Sequence, residues 1–161
     1  EQYSELLKTV STLADSFNFE HKDKQTFLIA ASLCNIGKLA IPSSILEKEE
    51  KLNEQEYEVI KAYPFYTKKV LSNIMGFNDI NTWACKIQES LNANGYPFGF
   101  SANELSLKDR LLAAANIYHA TKSKRVYREA LSHEEAIEIM RKMANNLKLD
   151  KAIVEHINSL F

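Results

Sequence analysis

The chain has 161 residues, 45% of them apolar and 25% charged, with 20 basic residues against 21 acidic and a formal net charge of −1. That length suits one domain, whose core needs neither a disulfide nor a metal to hold it. The even charge excludes broad electrostatic binding of nucleic acid, which needs a basic surplus or a basic face.

With 4 glycines and 3 prolines, helix formers dominate and an all-α fold is expected. Leu6, Val10, Leu13 and Phe17 share one face of a helix over 3–17, which Asn18 and Phe19 interrupt. A second helix spans 23–36. Its stretch from Phe27 to Cys34 is apolar on nearly every side, the pattern of a central buried helix, and Gly37 is placed to stop it. Pro42 and Ser43 open a short helical turn to Leu46. Asn53 and Glu56 read as a capping box with Leu52 and Tyr57 as its hydrophobic staple; that helix ends near Ala62, because the residue before Pro64 avoids helical angles. Pro64 suits the first turn of a helix to Met75, closed by Gly76. Asn78 or Asp79 starts a helix through Leu91. From Asn92 to Gly99 the chain is dense in turn residues, and the loop runs to Ser106, long enough to suggest use rather than mere connection. A long apolar helix over 107–121 follows. Ser132 and Glu135 form another capping box, for a helix to Asn145. Asp150 caps a last helix striped with Ile153, Val154, Ile157 and Leu160.

Few residues stand out chemically. Cys34 and Cys85 sit in apolar patterns at no metal-ligand spacing and are expected to be buried reduced thiols. His21, in a turn, His133, in a first helical turn, and His156, on a polar face, read as surface residues; only His119, on an apolar helix, is placed to line a cavity. Lys122, Lys124, Arg125 and Arg128 suit a solvated helix end about as well as a phosphate site. No glycine-rich phosphate loop, serine elbow or zinc spacing occurs. No signal peptide or membrane-length apolar run is present, so a cytoplasmic protein without membrane contacts is expected. The chain begins at Glu1 directly on a helical pattern, which suggests a piece of a longer protein.

Motifs in register carry a resemblance. Cys34 to Pro42, reading Cys-Asn-Ile-Gly-Lys-Leu-Ala-Ile-Pro, is similar to the run His-Asp-Ile-Gly-Lys followed by Ile-Pro. Gln88-Glu89 through Gly95-Tyr96-Pro97 is similar to His-His-Glu leading into Asp-Gly-x-Gly-Tyr-Pro. Arg110 to Tyr118 follows Arg-Ile-Leu-x-Val-Ala-Asp-x-Tyr, and Tyr127-Arg128 with Ala130 to Ala136 continue it. The chain therefore resembles the HD-GYP family of cyclic dinucleotide phosphodiesterases from about residue 10 to 160. The resemblance implies a bundle of about seven helices within one domain over 1–161, part of a longer bacterial signalling protein.

The departures fall on the family's metal ligands. The paired His-Asp is here Cys34-Asn35, a His before Pro is Tyr63, the adjacent His-His is Ile87-Gln88, and the Asp of Val-Ala-Asp is Asn116. An upstream Glu and His would fall at or before Gln2. A hydrolytic centre needs several anionic or imidazole donors to hold ions and acidify bound water. The replacements are mostly neutral, and the surviving Glu89 cannot hold two ions alone, so neither metal nor other cofactor is expected. Asn35, Gln88 and Asn116 are instead expected to meet in the core as a hydrogen-bonded amide network.

The resemblance then implies a catalytically inactive signalling module. It would act by binding a cyclic dinucleotide without cleaving it, or by docking a diguanylate cyclase or other signalling protein. Lys38 matches the family lysine that contacts substrate phosphate; its bland role is a surface lysine past a helix end. Gly95, Tyr96, Pro97, Phe98 and Phe100 form the candidate docking loop; alternatively the rings of Tyr96, Phe98 and Phe100 fold inward and staple the loop to the bundle. The competing reading is a metal-dependent cyclic di-GMP phosphodiesterase with an atypical site.

Overall fold

The structure, a computed structural model, describes residues 2–123 and 129–161, with side chains from Glu5 onward. Lys124, Arg125, Tyr127 and Arg128, singled out above, lie outside the described residues, as does the side chain of Gln2. The fold is all-α: α1 (Gln2–Ser16), α2 (His21–Leu33), α3 (Ser43–Leu46), α4 (Glu54–Lys61), α5 (Tyr63–Leu71), α6 (Asn78–Ala84), α7 (Leu107–Lys122), α8 (His133–Asn145) and α9 (Lys151–Leu160). Among the described residues, seven of these helices have eight residues or more, while α3 and α6 are shorter.

Capping explains the cleanest boundaries. Asn53, Ser106 and Ser132 each accept the backbone N–H three residues on, with Glu56, Asp109 and Glu135 reaching back, and Asp150 accepts from the Ala152 N–H to open α9. Asn18, at φ 54°, turns the chain after α1.

Several boundaries differ from the sequence reading, and packing explains most of them. Helix α2 stops at Leu33, and Ile36–Ala40 form a 3₁₀ turn. Gly37 sits inside that turn and does not stop a helix. A Cβ there would lie 1.9 Å from the Tyr63 carbonyl oxygen, so glycine is required by the close approach of α5. Tyr63, despite preceding Pro64, is already the first residue of α5, and Ala62, itself in helical angles, caps both the end of α4 and the start of α5. Helix α5 ends at Leu71, and α6 ends at Ala84, well short of Leu91.

The central helix is α7, not α2. Leu111 to Ala115 are all buried, whereas α2 leaves Ile29 exposed. Helices α1 and α8 pack on α7, α2 packs on α1 and α6, and α9 closes the bundle on α7 and α8. Phe27, Leu13, Leu111, Leu112, Met140 and Ile157 fill the shared core, each contributing roughly 1.5–3 kcal/mol by leaving water. Among the described residues no helix is long and apolar enough to cross a membrane.

Candidate functional site

The site is a cavity of about 590 Å³ where the 3₁₀ turn, the start of α5, the segment after α6 and one face of α7 converge. Asn35 and Lys38 come from the turn, Tyr63 from α5 and Gln88 from the segment after α6. Asn116, His119 and Ala120 come from α7, at the i, i+3, i+4 spacing that shares a face. Leu6 and Ile41 supply apolar wall, and Leu39, 88% exposed, stands with Leu46 and Ser43 among the lining residues.

A buried hydroxyl fixes the frame. Thr67, fully buried on α5, accepts the Gly37 N–H at 3.0 Å and lies within bonding distance of the carbonyl oxygens of Tyr63 (3.2 Å) and Cys34 (3.3 Å). It locks the turn carrying Asn35 and Lys38 against the helix carrying Tyr63. In the cavity, Gln88 Nε2 donates to the Tyr63 hydroxyl at 2.9 Å, and Lys38 Nζ lies 5.0 Å from the centre of the Tyr63 ring, within cation–π range. His119 Nε2 lies 3.4 Å from Ser123 Oγ.

Of the positions matched to metal ligands, Asn35, Tyr63, Gln88 and Asn116 line the cavity, but Cys34 and Ile87 do not. Ile87 belongs to the apolar core. Cys34 Sγ donates to the Ala31 carbonyl, and burial pushes its thiol up to about 12, so it stays protonated. The expected amide network is not formed. Among the described residues Asn35 and Asn116 hydrogen-bond neither to each other nor to Gln88, and only Gln88 has a partner, Tyr63. The amides are half-buried at the cavity wall, where water can satisfy them, so they need not pair as fully buried amides must.

The described residues of this wall do not fit a resident metal centre. No carboxylate occurs among its described lining residues, and no three His, Cys, Asp or Glu side chains come together among the described residues. Amide and phenol oxygens offer a divalent ion neutral donors only, too weak to hold two ions and acidify water.

Glu89 has a different task. Buried, and next to Gln88 in the chain, it accepts the backbone N–H of Phe98 at 2.8 Å and that of Phe100 at 3.0 Å, clamping the loop. Gly95 lets the loop seat there: a Cβ would lie 2.4 Å from the Ser90 nitrogen, and the neighbouring Tyr96 N–H donates to the Gln88 carbonyl. Arg110 holds the far side of the loop through the carbonyls of Leu105 and Ala102 and pairs with Asp150 at 2.9 Å.

The loop rings are neither free nor fully buried. Tyr96, Phe98 and Phe100 are half-buried, with Lys61, Lys68 and Lys86 over their respective rings at 5.7, 4.7 and 5.2 Å. Burial, then the neighbouring Tyr57 hydroxyl, raises the Tyr96 phenol above its ordinary range.

The sequence reading missed Thr67, the clamp made by Glu89, and the Lys86–Asp109 pair at 3.1 Å. The Ser106-x-x-Asp109 spacing was a legible capping signal; nothing local in sequence marks the other two. His133 and His156 are not plain surface residues. Nδ1 of His133 bonds the Tyr118 hydroxyl at 2.8 Å, and Nε2 of His156 bonds Ser16 Oγ at 2.8 Å, while His21 is the first residue of α2.

A family model described as "HD domain" matches residues 1–153. The chain belongs to the HD domain family. It is 36% identical over 111 residues to a 3′3′-cGAMP-specific phosphodiesterase 3 of Vibrio cholerae, covering 69% of this chain and 24% of that protein. A 3′3′-cGAMP-specific phosphodiesterase 1 of the same organism is 30% identical over 145 residues, covering 90% and 34%. A cyclic di-GMP phosphodiesterase of Borreliella burgdorferi is 33% identical over 127 residues, covering 79% and 33%. The chain thus spans a quarter to a third of the length of these relatives.

Proposed function

We propose that this chain is a non-hydrolytic signalling module of the HD-GYP type, which binds a nucleotide of the dinucleotide class in its cavity and leaves it intact. One observation supports the reading: four of the six positions matched to family metal ligands line a cavity of about 590 Å³ whose described wall holds amides, a phenol, an imidazole and one ammonium, and no carboxylate. A pocket that had lost all use would be free to fill with apolar side chains. Relatives named as phosphodiesterases of cyclic di-GMP or 3′3′-cGAMP supply the ligand class. Lys38, at the rim of the turn, is the phosphate contact.

The test pairs binding with turnover. Purified chain is titrated with cyclic di-GMP and cyclic di-AMP by calorimetry, then incubated with each nucleotide plus Mn²⁺ or Fe²⁺. Saturable binding with intact nucleotide is expected. Metal-dependent cleavage that disappears in Asn35→Ala or Asn116→Ala would establish the phosphodiesterase reading instead.

A second role, docking of a diguanylate cyclase or other signalling protein at the Gly95-Tyr96-Pro97 loop, has its own support. Glu89 ties that loop down at the Phe98 and Phe100 N–H groups, and the exposed rings of Tyr57 and Phe65 stand on helices α4 and α5. Rigid loops bind with less ordering cost.

A further inference from the structure

We infer that the loop from Tyr96 to Phe100 takes an acidic segment of a partner protein, whose carboxylates meet Lys68 at the centre of a set of ammoniums laid over the loop's rings. This rests on the reading of the loop as a docking surface and concerns the chemistry of what docks there.

Each ring of the loop carries a lysine. Lys61 of α4, Lys68 of α5 and Lys86, which follows α6, place their ammoniums 5.7, 4.7 and 5.2 Å from the ring centres of Tyr96, Phe98 and Phe100. Three separate segments thus send one cation each to one loop. Phe98 and Phe100 lie 5.3 Å apart, so the ammoniums over them share one patch. Two of the three lysines are already matched: Lys61 pairs with Glu58 at 2.9 Å, and Lys86 with the buried Asp109 at 3.1 Å. Lys68 is exposed and, among the described residues, has no carboxylate partner. The cation over the middle ring is the one left for a partner.

A partner that covers these rings also covers the ammoniums on them. An ammonium taken out of water without a counter-charge is strongly unfavourable, so a purely apolar surface is rejected and a carboxylate accepted. The same seating argues against two other anions. Single-stranded nucleic acid gains affinity by stacking bases on free ring faces, and here each ring has a lysine over one face. The formal net charge of −1 adds no wider basic field. Insertion into an anionic membrane uses bare apolar side chains, whereas these rings are half-buried under charge. Tyr57, exposed and sharing Lys61 with Tyr96, adds an apolar contact beside the charge.

Amide chemical shifts of the purified 161-residue chain test it, with four probes: a short glutamate-rich peptide, its glutamine counterpart, an oligothymidylate of equal charge and phosphatidylserine vesicles. The glutamate peptide is expected to move the resonances of Lys68, Phe98, Gly99 and Phe100, and the glutamine peptide to leave them in place. Its dissociation constant should rise about tenfold or more between about 50 and about 500 mM salt, as screening removes the charge contacts. Lys68→Glu should abolish these shifts, whereas Lys151→Glu, the same charge change on α9, should keep them; Lys68→Gln serves should Lys68→Glu lose its fold by circular dichroism. Glutamate and glutamine peptides that act alike overturn the acidic assignment. So do oligothymidylate or vesicles that move the same resonances as strongly as the glutamate peptide. Capture of a diguanylate cyclase domain that Tyr96→Ala weakens and Lys68→Glu leaves unchanged also overturns it, with the docking surface left standing. No capture by the wild-type chain, together with silent peptides, overturns both.

Discussion

The side-chain amide of Gln88 donates to the phenol oxygen of Tyr63 at 2.9 Å, joining two positions that match family metal ligands through a neutral hydrogen bond. With neutral partners, this pair needs no cation to balance it. Elemental analysis of the purified chain should therefore find no stoichiometric iron or manganese, and chelator should leave the melting temperature unchanged. Two metal ions per chain would refute this.

The same bond makes a sharper prediction. Tyr63→Phe keeps the buried ring but removes the acceptor for Gln88. It should cost about 1 kcal/mol, the net worth of one such bond where water can partly replace it. Tyr63→Ala would add the loss of an almost fully buried ring, at roughly 3–5 kcal/mol. Urea unfolding of both variants measures the difference.

Glu89 is expected to act on stability rather than on metal. Replacing it with Ala leaves the N–H groups of Phe98 and Phe100 without their acceptor, for a loss of roughly 2–5 kcal/mol. Glu89→Gln keeps one carbonyl acceptor and should lose less. The deficit should be the same with and without chelator; a deficit that chelator abolishes would mark Glu89 as a ligand.

How much was legible follows a physical line. Periodicity and capping located α1, α7, α8 and α9 to within a residue or so, because those helices are set by their own apolar faces and caps. The short α6 and the early end of α5 were not legible, since there the chain yields to contacts with distant segments. Gly37 shows why: its meaning lies in the carbonyl of Tyr63, far along the chain. The resemblance brought Asn35, Tyr63, Gln88 and Asn116 to one cavity, but could not show that Cys34 and Ile87 do not line it, or that Gln88 would bond Tyr63 rather than the other amides.

The two cysteines give a pH prediction. Burial pushes the thiols of Cys34 and Cys85 up to about 12 and about 11. At pH 8 both stay protonated in the fold, so a thiol reagent should react slowly with native protein and quickly in denaturant. The folded values exceed the ordinary value of 9.0. Their stabilising contribution is thus fully present below that pH and is lost as pH rises toward the folded values. Alkaline titration of stability should show a decline beginning above pH 9 that is smaller in Cys34→Ala once its lower starting stability is subtracted. Fast labelling at pH 8 would mean that the thiols are not buried.

Tyr96 decides between the staple and the docking surface. Its ring is half-buried under Lys61. Truncation should therefore cost less than a fully buried aromatic does. Tyr96→Ala is expected to lose about 1–3 kcal/mol, against the ~3–5 kcal/mol of a core ring. Tyr96→Phe keeps the ring and should lose less than Tyr96→Ala. Capture of a diguanylate cyclase domain is then measured well below the melting point of each variant, so that loss of fold does not imitate loss of binding. If the loop docks, Tyr96→Ala should weaken capture by more than its stability loss can explain, because rings at the centre of an interface dominate its energy. Phe65→Ser, on the exposed face of α5, should weaken capture with little change in stability. Variants that lose stability while capture stays intact would leave Tyr96 as a staple and end the docking role.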